Sequence, residues 1–271
     1  METEGLAELG FGEVSSIDVL GTEIELFKAG SGAPLLFLHG LDGWEGADAL
    51  LKKLAETFTV YAPSHPGFGN SARPVQLDRV DDLGYFYLDL IDALSLDQPV
   101  VVGSSFGGWV AAETLTKEPE RASRLVLVSP FGLPTAHRRE QYVADIFMLS
   151  RQELGARMQV GPARPDSDMR VLTKLPPDRI RRLMRNDEAA SVYGWTPYMS
   201  NPKLGDRLHR ISIPTLVAWG TEDAIMSAAY REAWRKALPQ AQVETFPEAG
   251  HRLHADQPAR LASRIAAFAG R

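Results

Sequence analysis

The chain reads as an α/β protein: an eight-stranded, mostly parallel sheet with an antiparallel second strand, flanked by helices, with a helical cap inserted after strand 6. Three observations predict this. Short, near-continuous apolar runs alternate with amphipathic helical patterns, as in a parallel sheet buried on both faces. The first two β-rich segments meet at Leu20-Gly21, which makes them an antiparallel hairpin. After Pro130 the alternation stops, and residues 131–210 show helical patterns without strands before the sheet resumes. The core therefore comprises residues 1–130 and 211–271, and residues 131–210 form the cap.

The elements follow in order. Val14 to Val19 and Thr22 to Phe27 form the hairpin. Pro34 to Leu38 is the third strand, and a helix from about Ala47 to Glu56 buries Leu50, Leu51 and Leu54. Phe58 to Ala62 is the fourth strand and runs into a loop dense in turn residues, Pro63 to Ser71. An amphipathic helix spans about Arg79 to Leu94. The fifth strand starts at Val100, and Leu125 to Ser129 is the sixth. In the cap, helical spacing covers Arg138 to Leu149, Ser150-x-x-Glu153 is a capping box for a second helix, and Pro177 to Ala190 is a third. Ile213 to Trp219 and Val243 to Phe246 are the last strands, each followed by a helix, about Ala228 to Leu238 and Pro258 to Ala269. Proline suits the first turn of the latter.

Composition sets outer bounds. The 271 residues are 44% hydrophobic and 24% charged, a globular balance. A core of this size needs no disulfide or metal staple, and with no cysteine there are no disulfides or thiolate metal sites. The formal charge of −6 gives no support to a nucleic-acid or anionic-membrane surface. Met1 to Glu13 lacks the basic start and apolar core of a signal peptide, and no apolar run approaches the ~18 residues of a membrane span. A cytoplasmic protein is the expectation.

Chemistry concentrates at Val100-Val101-Val102-Gly103-Ser104-Ser105-Phe106-Gly107-Gly108. A buried strand ends in Gly-x-Ser-x-Gly and a helix begins at once. Only Ser105 has glycine two residues away on each side, so it is the candidate nucleophile. A serine at a sharp strand-to-helix turn is held in strained geometry with its hydroxyl above the sheet. The flanking positions have no room for side chains, and the free N–H groups of the new helix favour negative charge. Ligands on parallel sheets bind at the carboxyl ends of strands. Asp223 and His251 follow two such ends, and the order Ser105, Asp223, His251 is that of a nucleophile, an acid and a base.

On these residues the chain resembles the α/β-hydrolase family. The matching segments are His39-Gly40, Pro66-Gly67-Phe68-Gly69, Gly103-x-Ser105-x-Gly107, Trp219-Gly220-x-x-Asp223 and Gly250-His251, spread over nearly the whole chain. The resemblance implies a serine hydrolase in which His251 takes the Ser105 proton and Asp223 orients the imidazole. It implies an oxyanion hole made by the backbone N–H groups of Leu41 and Phe106. Glu222 is the rival acid and His254 the rival base; the Trp-Gly-x-x-Asp spacing and the Gly-His step favour Asp223 and His251. His39 shapes the oxyanion loop, and His65, His137 and His209 are surface or structural histidines. Two positions depart from the common pattern. Asp42 follows the oxyanion donor and is expected to bond local backbone or turn away. His65 stands where many relatives carry an acid.

Serine at the elbow excludes the epoxide- and halide-displacing relatives, which use aspartate. The expected reaction is acyl transfer to water. Trp44, Phe131, Phe147, Met148, Trp195 and Tyr198 suggest a mainly apolar pocket for small to medium carboxylic esters. The cap holds twelve arginines, read as a solvated face, and five of the seven methionines, read as cap core or a deformable pocket. The alternatives are a carbon–carbon hydrolase of β-diketone-like or ring-fission products, an acyltransferase or perhydrolase with the same acyl-enzyme, and a ligand-binding receptor of the same fold. The implied partner is a small-molecule substrate, with no nucleic acid and no metal or organic cofactor.

Overall fold

A computed structural model describes residues 10–137 and 139–270. The first nine residues of the acidic amino-terminal segment, and Arg138 at the start of the first expected cap helix, lie outside the described residues. The sheet begins with β1 (Glu13–Val19), β2 (Thr22–Ala29), β3 (Ala33–Leu38), β4 (Phe58–Pro63), β5 (Val100–Ser104) and β6 (Arg124–Val128). Between these lie α1 (Asp48–Leu54), α2 (Val80–Ala93) and α3 (Phe106–Lys117). Then come the short strands β7 (Ala136–His137) and β8 (Glu140–Gln141), followed by α4 (Arg151–Met158), α5 (Met169–Leu172), α6 (Pro177–Gly194) and α7 (Leu204–Arg207). The chain ends with β9 (Thr215–Gly220), α8 (Ala228–Ala237), β10 (Gln242–Phe246), α9 (Leu253–Asp256) and α10 (Pro258–Phe268).

The eight-stranded sheet has the order β1-β2-β4-β3-β5-β6-β9-β10. β2 is antiparallel to both β1 and β4, and the remaining pairs are parallel. Side chains alternate between faces along each strand, so the central strands feed two cores. Leu36, Leu38, Val101 and Leu127 face α2, α3 and α8. Leu35, Phe37, Val102 and Val126 face α1 and α10. Each such buried side chain contributes about 1.5–3 kcal/mol by leaving water. This two-sided burial explains why the strands read as unbroken apolar runs.

Between β6 and β9 the sequence reading needs one correction. The helix expected over 138–149 is replaced by the β7–β8 hairpin and a run of turns. The backbone here finds partners far along the chain: Ala144 N–H donates to the Ile225 carbonyl at 2.8 Å, and Ser227 N–H to the Tyr142 carbonyl at 2.9 Å. Those bonds consume the groups a helix would use. The Ser150 capping box does form: Glu153 N–H reaches Ser150 Oγ at 3.2 Å, and Ser150 N–H reaches Glu153 Oε2 at 3.0 Å.

α6 docks on the loop after β4. Arg185 donates to the carbonyls of Gly69 and Ser71 at 2.7 and 2.6 Å, and Tyr193 Oη to that of Pro66 at 3.1 Å. Among the described residues, no helix is long and apolar enough to cross a membrane.

Candidate active site

Ser105 joins β5 to α3 with φ 56° and ψ −115°. Such a conformation costs a non-glycine residue about 1–3 kcal/mol and persists only where surroundings impose it. Here Ser105 N–H donates to the Val128 carbonyl at 2.8 Å, and the Ser105 carbonyl accepts from Gly108 at 3.0 Å and Phe131 at 3.2 Å. The glycines make the turn possible through space. A Cβ on Gly103 would lie 2.4 Å from the Gly107 carbonyl oxygen, and one on Gly107 would lie 2.1 Å from that of Leu38.

Asp223 follows β9 and His251 follows β10, and both turn toward Ser105. Ser105 Oγ lies 2.8 Å from His251 Nε2, and His251 Nδ1 lies 3.1 Å from Asp223 Oδ2. A carboxylate can only accept, so Nδ1 carries the proton and Nε2 presents a lone pair to the serine. The other oxygen, Oδ1, accepts from Ile225 and Met226 N–H at 2.9 and 2.8 Å. These two bonds stop the carboxylate from rotating away. All three side chains are buried, and the arrangement can pass a proton from the serine to the imidazole.

The rivals are elsewhere. Glu222 is exposed. His254 is buried with Nδ1 3.1 Å from Ser104 Oγ, and burial pushes its pKa down to about 3. His209 Nδ1 donates to the Asp206 carbonyl at 2.8 Å, and His137 is exposed.

The loop after β3 touches the serine: a Cβ on Gly40 would lie 3.3 Å from Ser105 Cβ. Leu41 comes next in that loop. Phe106 is the first residue of α3, so its N–H has no intrahelical acceptor. Two neutral histidines brace the loop. His39 Nδ1 donates to the Gly40 carbonyl at 2.6 Å, while its Nε2 accepts His65 N–H at 3.0 Å. His65 Nε2 donates to the His39 carbonyl at 2.9 Å, and its Nδ1 accepts from Tyr87 Oη. Burial lowers His39 to about 4 and holds His65 well below its ordinary value. His65 is thus a buried brace, not a surface residue.

A cavity of about 240 Å³ opens beside Leu41 and Asp42, between them and the 146–191 segment. One wall is apolar: Ile146, Phe147, Leu154, Met158 and Leu183. The other is ionic, with Arg252 paired to Asp42, Arg164 to Asp166 and Arg151 to Asp187. Leu41 borders this cavity, whereas Ser105, Asp223 and His251 do not; the sequence names six residues for a mainly apolar pocket. Of the six residues named for it, Phe147 lines this cavity. Trp44 does not: it is fully buried and stacks on Phe27 at 4.9 Å. Met148 and Trp195 point outward, 78% and 61% exposed. Tyr198 buttresses the turn below, with its Oη accepting Ile146 N–H at 2.8 Å. Phe131 is buried against the His251 ring, 5.6 Å between centroids. Sequence reasoning missed Arg151, Arg164, Asp166, Asp187 and Arg252; the arginine excess over 131–210 was a signal for Arg151 and Arg164 alone.

Fold and site together define the class. The chain belongs to the alpha/beta hydrolase family, whose model matches residues 35–264. It is 31% identical over 245 residues to the dihydrolipoyllysine-residue acetyltransferase component of the acetoin cleaving system of Cupriavidus necator, covering 86% of this chain and 63% of that protein. A 2-hydroxymuconate semialdehyde hydrolase from a Pseudomonas species is 26% identical over 271 residues, covering 92% of this chain and 90% of that one. A carboxylesterase from Bacillus subtilis superposes with a TM-score of 0.73 at 22% identity, covering 95% of this chain and 91% of that one.

Proposed function

We propose that the protein is a serine hydrolase that cleaves small to medium carboxylic esters through an acyl-enzyme on Ser105, with residues 131–210 acting as the cap over the site. The observation that carries this reading is the continuous hydrogen-bond chain from Ser105 Oγ through His251 to Asp223. Ser105 Oγ attacks the ester carbonyl carbon as its proton passes to His251 Nε2. Asp223 holds the imidazole tautomer and stabilises the cation. The tetrahedral oxyanion accepts from the N–H groups of Leu41 and Phe106, each such donor contributing about 2.7–4 kcal/mol. Collapse breaks the ester bond, and the alkoxide leaves as the alcohol with the proton from His251. Water, deprotonated by His251, then attacks the acyl carbon; the acid departs and Ser105 regains its proton.

A second reading, cleavage of a carbon–carbon bond in a β-diketone-like acid, is favoured by one observation. Arg151 on the ionic wall is paired with the largely exposed Asp187, so a substrate carboxylate can take that partner's place. The first experiment is mass mapping after a fluorophosphonate probe, followed by a panel of p-nitrophenyl esters and dienoate ketones. The ester reading expects one adduct on Ser105, abolished in Ser105→Ala, and turnover of esters above the ketones. Turnover of ketones alone replaces it with the second reading. An unlabelled, folded wild-type protein overturns both.

A further inference from the structure

Asp42 is a carboxylate placed directly after Leu41, where negative charge opposes the oxyanion that Leu41 is proposed to bind. Its carboxylate pairs with a side chain rather than with local backbone. Its partner is Arg252, the residue directly after His251. Arg252 Nε donates to Asp42 Oδ2 and Nη2 donates to Oδ1, both at 2.7 Å. Two parallel bonds from a planar guanidinium fix orientation as well as distance. The Arg252 side chain is 8% exposed and that of Asp42 26%. Arg252 is also tied to the end of α4: its backbone N–H donates to the Met158 carbonyl at 2.6 Å, and Nη1 to Gln159 Oε1 at 3.2 Å. Arg164 approaches from the same side. A Cβ on Gly46 would lie 2.7 Å from Asp42 Cβ and 3.1 Å from Arg164 Nη1.

We propose that Asp42 and Arg252 are positioning residues for the reaction: a charge-neutral clamp that ties the oxyanion loop to His251 and to α4. The proposal rests on Ser105 being the nucleophile. The clamp holds two residues that each adjoin a reacting group, Leu41 on one strand end and His251 on another. It also cancels the carboxylate charge beside the oxyanion. A loosened loop weakens one oxyanion donor, and an uncancelled Asp42 adds repulsion in the transition state, where the new charge forms. Both effects fall on kcat and spare KM.

The test measures kcat and KM on p-nitrophenyl butyrate, with active sites counted by fluorophosphonate labelling of Ser105. Arg252→Gln removes the paired cation, leaves Asp42 with only the unbonded Arg164 nearby, and is expected to lower kcat per labelled serine by about 10- to 100-fold, part of the loss seen when an oxyanion donor is deleted. The double variant Asp42→Asn with Arg252→Gln removes the charge and is expected to regain about tenfold over Arg252→Gln alone, a coupling of the kind neighbouring groups show. Arg252→Lys keeps the charge without the fork; it is expected to fall between wild type and Arg252→Gln, and it serves if Arg252→Gln does not fold. A merely structural pair would lower the number of labelled serines and leave kcat per serine unchanged. That result, or equal kcat in the single and double variants, would overturn the clamp. Failure of wild type to label at Ser105 overturns the nucleophile reading and the clamp with it; labelled wild type with an unchanged variant kcat overturns the clamp alone.

Discussion

Arg182 on α6 serves two carboxylates from the sheet side. Its Nη1 donates to Glu25 Oε1 at 2.7 Å, and its Nη2 donates to Glu25 Oε2 at 2.9 Å and to Glu45 Oε1. The Arg182 and Glu25 side chains are 7% and 5% exposed. Arg182→Met keeps the packing of the stem and leaves two buried carboxylates without a cation. Breaking a buried pair costs about 3–5 kcal/mol. Glu25 retains donors in Ser64 Oγ at 2.6 Å and Asn70 Nδ2 at 2.8 Å, which places the loss near the lower end, about 3 kcal/mol. At about 2–4 °C per kcal/mol for a chain of this size, the melting temperature falls by roughly 6–12 °C. The pH dependence has a definite sign. Burial alone would raise the Glu25 pKa, but the Arg182 bonds and charge outweigh it and hold Glu25 below its ordinary 4.5. In wild type the pair therefore stabilises above that value and fades only as pH falls through the lowered folded pKa. In the variant only the Ser64 and Asn70 donors oppose burial, so the Glu25 pKa rises and the loss shrinks as pH falls. Urea titrations at pH 7.5 and pH 6 measure it. The double variant Glu25→Gln with Arg182→Met recovers much of the loss. A deficit below about 1 kcal/mol at pH 7.5, or one identical at both pH values, refutes the reasoning.

Two further outcomes follow from buried groups. His39, His65 and His254 are held neutral by burial, with pKa values of about 4 for His39 and about 3 for His254, so the unfolded chain binds more protons below its own value of about 6.5. Stability is complete above that value and is lost as pH falls from about 6.5, down to about 4 for His39 and about 3 for His254, at about 1.4 kcal/mol per pH unit for each histidine; urea midpoints that stay flat from pH 7.5 to 5 would contradict the neutral assignment. Gly107→Ala drives a Cβ to 2.1 Å from the Leu38 carbonyl, where backbone must move, so a destabilisation of about 3 kcal/mol or more is expected from calorimetry, and near-wild-type stability would mean that the elbow is looser than its geometry implies.

The sheet was legible because its signals are local. The central strands β3, β5, β6 and β9 are apolar runs, and α2 and α10 carry apolar stripes. Ser105, Asp223 and His251 were legible for a related reason: each sits at a strand end, and the sheet brings strand ends together whatever the separation in sequence. The illegible parts depend on pairings that no local pattern encodes. The stripe over 138–149 is helical in spacing, yet its backbone bonds go to residues 225–227. Arg252 finds Asp42 across 210 positions, and Arg182 finds Glu25 across 157. Composition revealed an arginine-rich 131–210 segment, but it does not separate exposed arginines such as Arg170 and Arg181 from Arg182, which is buried in an ion pair. Trp44 was misplaced for the converse reason. Its position after Gly43 is that of a pocket residue, while its ring fills the layer between Phe27 and α1.

The paired charges also bear on which substrates the site favours. Each arginine of the cavity wall already has a carboxylate: Asp42 for Arg252, Asp166 for Arg164, Asp187 for Arg151. A neutral ester can lay its apolar part on Ile146, Phe147 and Leu154 without opening any of these pairs. An anionic substrate gains a cation only by displacing a partner, and the displaced carboxylate must then be solvated or left beside a like charge. The three pairs are not equal in this respect. Asp187 is 57% exposed and has water at hand when it lets go, whereas Asp166 is 18% exposed, and opening Asp42–Arg252 would undo the clamp beside the nucleophile. The proposed ester cleavage thus requires no rearrangement of these pairs. Cleavage of a carboxylated ketone requires rearrangement at Arg151, at the end of the wall where the cost of freeing a cation is least.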